Sequence, residues 1–175
     1  MDSVNLRLIS FNKYGYLHNR FSKVDKLKNF YNYTFTNCNA PGLVGETATP
    51  KEAQKELEDL HKFVGKDIIK PLFPNYNLKE CAMWDGVDKP STIWHNDNVN
   101  NNGYTNLLIY LDDCYKNNNS IEIKNKYREH KIKPLPGEYV WLNQSKQFQH
   151  RATHTVGKRR VLSFEFEVLN NVWWC

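Results

Sequence analysis

Apolar residues recur at three- and four-residue steps between positions 51 and 70, where Ala53, Leu57, Leu60, Val64 and Ile68 fall on one side of a helical wheel. Thr49-Pro50-Lys51-Glu52 supplies a start, with Thr49 as N-cap and Pro50 at the first helical position, and Lys70-Pro71 supplies the stop. Earlier in the chain, Val4, Leu6 and Leu8 alternate with polar residues, which predicts a strand, and 21–33 is expected to hold a short helix. From position 78 onward the texture changes to short apolar or alternating runs separated by Gly, Pro and Asn. Strands are predicted over 78–84, 92–97, 104–111, 120–124, 130–133, 138–142, 148–153 and 159–168. Eight short strands after a helix imply a mainly β fold with helical cover, its core a jelly roll.

The chain has 175 residues, which suits one domain: a strand and helical cover over 1–77, a jelly-roll core over 78–168 and a tail over 169–175. Its net charge of +5 is scattered apart from Lys158-Arg159-Arg160 and the basic run at 124–128, so nucleic acid is only weakly indicated as a partner. Cys38, Cys81, Cys114 and Cys175 lack CxxC spacing, and no signal-like or membrane-spanning apolar run occurs. Free thiols in a cytoplasmic protein are expected, with no membrane partner.

The chemistry concentrates in two places. His95 and Asp97 sit two apart in Trp94-His95-Asn96-Asp97-Asn98, the spacing that puts both side chains on one face of a strand. His150 follows within Phe148-Gln149-His150-Arg151-Ala152, on a different predicted strand. Two imidazoles and one carboxylate suit Fe(II) and leave three coordination positions open for a co-substrate and dioxygen.

Around these residues the carboxyl half resembles the iron(II)/2-oxoglutarate-dependent dioxygenase superfamily, most closely its prolyl-hydroxylase-like members. The likeness spans roughly 81–168. The HxD block is followed by Tyr104-Thr105-Asn106-Leu107-Leu108-Ile109-Tyr110-Leu111-Asp112-Asp113, similar to the family's Tyr-Leu-Asn/Asp strand. Then come the Pro134-Leu135-Pro136-Gly137 turn, His150, and a basic residue opening the last core strand. The resemblance implies His95, Asp97 and His150 as iron ligands, with Fe(II), 2-oxoglutarate and O2 as cofactor and co-substrates. It implies a co-substrate pocket formed by a basic residue, Tyr110 and the apolar Ile121, with Ser163 on the same strand as the basic residue.

Both Arg159 and Arg160 stand at the right distance past His150. Arg160 shares a face with Leu162, Phe164 and Phe166, a stripe suited to packing under a helix, whereas Arg159 shares one with Val161 and Ser163, which favours Arg159. His154 is the alternative to His150, with a shorter reach to Arg159. Trp84, Trp94 and Trp141 are candidate walls of a substrate pocket. Asn119-Ser120 replaces the family's usual Gly-Gly, which leaves the turn's shape open. The implied reaction is hydroxylation of a C–H bond in a protein, peptide side chain or small molecule, with succinate and carbon dioxide as co-products. The competing expectation is a cupin-like metal-binding jelly roll without that activity.

Overall fold

A computed structural model describes residues 3–33, 36–37, 47–85, 93–97, 103–153 and 159–168. Helix α1 (Ser3–Tyr14) leads into strand β1 (Tyr16–Arg20), and two short 3₁₀ turns follow at Val24–Leu27 and Asn29–Tyr31. A two-residue pairing of β2 (Thr36–Asn37) with β3 (Thr47–Ala48) precedes helix α2 (Lys51–Val64), which runs on through a π-helical turn at Gly65–Ile69. The β region then comprises β4 (Tyr76–Asp85), β5 (Tyr104–Tyr110), β6 (Ser120–Lys124), β7 (Glu129–Ile132), β8 (Glu138–Asn143), β9 (Gln149–Thr153) and β10 (Arg160–Val168).

Two sheets face one another. The larger has the order β1-β8-β5-β10-β4 and the smaller the order β7-β6-β9, with the named neighbours antiparallel. From β5 the chain steps to β6 and β7 in the smaller sheet, back to β8, across to β9 and back to β10. That alternation is the double-stranded β-helix.

Strand parity splits the apolar residues into two cores. Leu107, Ile109, Tyr139, Trp141, Leu162, Phe164 and Phe166 pack on the outer side of the large sheet against Phe11 of α1 and Ala53, Leu57, Leu60 and Val64 of α2. Leu108, Tyr110, Ile121, Ile123, Val140, Leu142 and Val161 fill the space between the sheets together with Cys114. Seven of the eight predicted strands are present as strands. Segment 93–97 is not one: it touches β9 through a single antiparallel bridge, His95 to His150.

The predicted N-terminal strand is instead α1. Val4, Leu8 and Phe11 face the outer core at helical spacing, while Leu6 and Ile9 are about half exposed at 51% and 53%. Over so short a run, period 2 and period 3.6 share Val4 and Leu8, and only Leu6 separates them. The helix predicted over 21–33 is reduced to the two 3₁₀ turns. At α2, Pro50 rather than Thr49 holds the cap position and no side chain caps the helix, because the Thr49 hydroxyl accepts from the Met83 backbone N–H at 3.2 Å.

Gly15 turns the chain from α1 into β1 at φ +82°, and a Cβ there would lie 2.3 Å from Phe148 Cδ1. Only glycine satisfies both demands. Among the described residues Cys81 and Cys114 are free thiols, and no helix is long and apolar enough to cross a membrane. Burial pushes the Cys81 thiol up to about 11 and that of Cys114 up to about 12, so both are protonated and poorly nucleophilic near neutrality.

Candidate metal centre and co-substrate pocket

His95, Asp97 and His150 converge beside the inter-sheet core, where His150 pairs with Ile123. One potential ligand atom from each lies within 4.8 Å of the others. His95 Nε2 is 3.4 Å from Asp97 Oδ1 and His150 Nε2 is 3.5 Å from Asp97 Oδ2. Two donors each about 2.1 Å from a divalent ion and at right angles stand about 3 Å apart, so small side-chain rotations suffice to close this set on a metal.

The backbone achieves this without a regular strand. His95 and His150 exchange backbone hydrogen bonds at 3.1 and 2.8 Å, which sets the imidazoles side by side with ring centroids 4.3 Å apart. Between the two ligand-bearing residues, Asn96 Nδ2 lies within hydrogen-bonding distance of three carbonyl oxygens, those of Gln144, Ser145 and Phe148, at 2.8–3.1 Å. Trp94 projects the other way, with the Lys124 ammonium 4.3 Å and the Arg151 guanidinium 4.4 Å from its ring. It is therefore a clamp on the outer side of the small sheet and not a pocket wall. Trp141 is not a wall either: it is fully buried in the outer core, with its Nε1–H donated to Thr105 Oγ1. Trp84 packs against the core between the sheets.

Protonation favours metal binding. His95 Nδ1–H donates to the Ile93 carbonyl at 2.9 Å, which leaves a lone pair on Nε2, the atom facing Asp97. Burial pushes His150 down to about 4, opposed by the Asp97 carboxylate and assisted by His95 and Arg159, so its imidazole is neutral at physiological pH. Gln144 orients the carboxylate reciprocally: its Nε2–H donates to Asp97 Oδ2 at 2.7 Å and its Oε1 accepts from the Asp97 backbone N–H at 3.2 Å. Asn96 and Gln144 went unrecognised in the sequence. Nothing in their local pattern marks them, since Gln144 acts across a separation of 47 residues.

Deeper between the sheets lies a second polar group. Tyr110 is fully buried on the inner face of β5, and its hydroxyl has no hydrogen-bond partner among the described residues. Burial raises its pKa to about 12, opposed by Arg159, whose guanidinium carbon is 5.7 Å from the ring centroid. Arg159 Nε is likewise buried and unpartnered. Arg160 is fully committed elsewhere. Its Nε lies 3.1–3.2 Å from both Asp112 oxygens, its Nη2 donates to Asp112 Oδ1 at 2.8 Å, and its Nη1 donates to the Tyr31 carbonyl. The two arginines thus lie in different surroundings, Arg160 on Asp112 and Arg159 beside Tyr110.

Ile121 is buried on the facing sheet in the same inner core. Ser163 lies on the inner face of β10, but its hydroxyl proton goes to Asn106 Oδ1 at 3.0 Å, which leaves only lone pairs for a ligand. The Pro136-Gly137 turn is as expected: Glu138 N–H bonds to the Leu135 carbonyl across it, Gly137 takes φ +79°, and its N–H ties the turn to Tyr110 O at 2.8 Å. His154 and Lys158 lie outside the described residues, as do Cys38, Cys175 and the 169–175 tail.

A divalent metal fits a donor set of two imidazoles and a carboxylate. A carboxylate-bearing ligand fits beside the Tyr110 hydroxyl and Arg159 Nε, two neighbouring buried donor atoms that meet the geometry of a hydrogen bond with no described residue.

No family model and no curated protein sequence matches the chain. Solved structures do. A prolyl hydroxylase from Trichoplax adhaerens, in complex with a hypoxia inducible factor peptide fragment, aligns over 94% of this chain and 89% of its own, with TM-score 0.68 and 15% identity. The non-heme alpha-ketoglutarate-dependent epimerase SnoN from nogalamycin biosynthesis aligns over 95% of this chain and 83% of its own, with TM-score 0.73 and 9% identity. A 2OG-Fe(II) oxygenase family oxidoreductase from Burkholderia pseudomallei aligns over 95% of this chain and 90% of its own, with TM-score 0.67 and 10% identity. The chain therefore has the double-stranded β-helix fold of the Fe(II)/2-oxoglutarate oxygenases, with a His-Asp-His cluster beside its inter-sheet core.

Proposed function

We propose that this chain is an Fe(II)- and 2-oxoglutarate-dependent oxygenase that hydroxylates a C–H bond. One observation carries the reading: beside a metal-competent triad stand two buried donor atoms without a partner among the described residues, the Tyr110 hydroxyl and Arg159 Nε, and the Arg159 charge acts on both Tyr110 and His150. His95, Asp97 and His150 would hold Fe(II). Arg159 and Tyr110 would hold the distal carboxylate of 2-oxoglutarate, the guanidinium fixing direction as well as charge. Ile121 would line the carbon chain between them.

The iron supplies the oxidative chemistry when bound. One oxygen atom of O2 enters succinate as 2-oxoglutarate loses carbon dioxide, and the other enters the substrate as a hydroxyl group. The chain's own residues would orient the co-substrate, and burial keeps the His150 imidazole neutral. The likeness to a peptide-bound prolyl hydroxylase supports a peptide or protein side chain as substrate, and the likeness to an epimerase keeps small molecules in view.

The test is succinate formation from 2-oxoglutarate in air by the Fe(II)-loaded protein, first alone and then with peptide and small-molecule mixtures. Turnover that disappears in His150→Ala is expected. A protein that binds iron but produces no succinate above the metal-only background would leave the cupin-like metal-binding reading instead.

A further inference from the structure

The family-like Gly-Gly is here Asn119-Ser120, and the turn before it is made by Asn118 in the left-handed region at φ 48°. Asn119 is therefore free to carry a side chain into the fold. Its backbone N–H bonds to Cys114 O at 3.0 Å. Parity places it on the inner side with Ile121 and Ile123, opposite in sense to Ser120, which bonds to Thr153 across the strand pair.

Asn119 is fully buried, and neither Nδ2 nor Oδ1 has a partner among the described residues. A carboxamide stripped of water at both ends is costly, and few survive in a native core without a ligand or bound water to satisfy them. The neighbours indicate which ligand. Cys114, bonded through its carbonyl to Asn119, shares the inner core with Tyr110 and Val161, and the Arg159 charge bears on both Cys114 and Tyr110. The Asn119 carboxamide, the Tyr110 hydroxyl and Arg159 Nε are thus each buried and unpartnered among the described residues, and Cys114 connects the first to the core that holds the second.

We infer that Asn119 is a third anchor for the distal carboxylate of a keto dicarboxylic acid, acting with Tyr110 and Arg159. The inference rests on the function proposed above and adds a co-substrate-binding residue to it. The donors match the acceptor: a carboxylate offers about four lone-pair positions, which the Tyr110 O–H, the Arg159 fork and one Asn119 N–H can fill.

The experiment is anaerobic calorimetric titration of the Mn(II)-loaded full chain with 2-oxoglutarate, and with pyruvate, which keeps the keto-acid head but has no distal carboxylate. Asn119→Ala is expected to weaken 2-oxoglutarate binding roughly tenfold or more, as for loss of a hydrogen bond to a charged group, while leaving pyruvate affinity unchanged. Asn119→Asp keeps the volume should alanine not fold, and is expected to weaken 2-oxoglutarate further by opposing two carboxylates. Unaltered 2-oxoglutarate affinity in both variants, or equal losses for both ligands, overturns the assignment. A wild-type protein that takes up Mn(II) but not 2-oxoglutarate overturns the proposed function as well, so the two failures are distinguishable.

Discussion

Replacing Arg160 by alanine and replacing Arg159 by alanine should damage this protein in opposite ways. Arg160 and Asp112 keep only 16% and 14% of their side-chain surface exposed, and they are joined by contacts of 2.8–3.2 Å in a two-pronged arrangement. Among the described residues, Arg160→Ala leaves the Asp112 carboxylate with just the residue-160 backbone N–H, from which it accepts at 2.7 Å. Breaking a fully buried pair by removing one member costs about 3–5 kcal/mol, and the residual exposure here brings that to roughly 2–3 kcal/mol. For a chain of this size the melting temperature should fall by roughly 5–10 °C. Arg159→Ala instead removes a guanidinium whose Nε has no partner, so the apo protein should melt within about 2 °C of wild type. Its 2-oxoglutarate affinity should nonetheless fall at least about a hundredfold, the scale of a lost charge-assisted bidentate contact. Thermal unfolding of the apo proteins, followed by titration of the metal-loaded proteins, reads both quantities. An Arg160→Ala protein of unchanged stability that cannot bind 2-oxoglutarate, beside an Arg159→Ala protein that can, would refute the assignment of the two strand faces.

Gln144→Ala should weaken metal binding roughly tenfold with little change in secondary structure, because it frees the Asp97 carboxylate to rotate, and competition with a metallochromic chelator measures it. Glu165 responds to pH. Burial first, then the charges of Asp97 and Glu80, raise its carboxyl from 4.5 to about 7. A raised carboxyl costs stability as pH climbs: the penalty is absent below 4.5, grows between 4.5 and about 7, and is complete above. That gap is worth about 3 kcal/mol in full and roughly 1–2 kcal/mol after allowing for solvent around a partly exposed group. Glu165→Gln should therefore stabilise the metal-free protein by that amount at pH 8 and by almost nothing at pH 4, as chemical denaturation at the two pH values would show. A gain of equal size at both would contradict the field assigned to Glu165.

The β region was legible because its strands alternate cleanly and end at turn residues such as Pro136-Gly137. Parity then separated Arg159 from Arg160, since a strand in a two-layer fold has only two faces and Leu162, Phe164 and Phe166 claimed one of them. The N-terminus was misread where Val4 and Leu8 serve two periodicities at once. The HxD segment was legible as chemistry but not as geometry. His95 and Asp97 converge through one backbone bridge, the Asn96 carboxamide and the Trp94 clamp, all tertiary contacts that local patterning does not carry. Gln144 and Asn119 were missed for the same reason: their roles depend on what lies across the inter-sheet space. Trp141 looked available for a pocket only because sequence does not tell which sheet face a helix will cover.

The most direct measurement is the anaerobic visible absorption spectrum of the Fe(II)-loaded protein during addition of 2-oxoglutarate. A metal-to-ligand charge-transfer band is expected that saturates in wild type, weakens in Arg159→Ala and is absent in His150→Ala. An iron-loaded wild-type protein that develops no band, or a band that persists undiminished in His150→Ala, would contradict the assignment of His95, Asp97 and His150 as the site of 2-oxoglutarate chemistry.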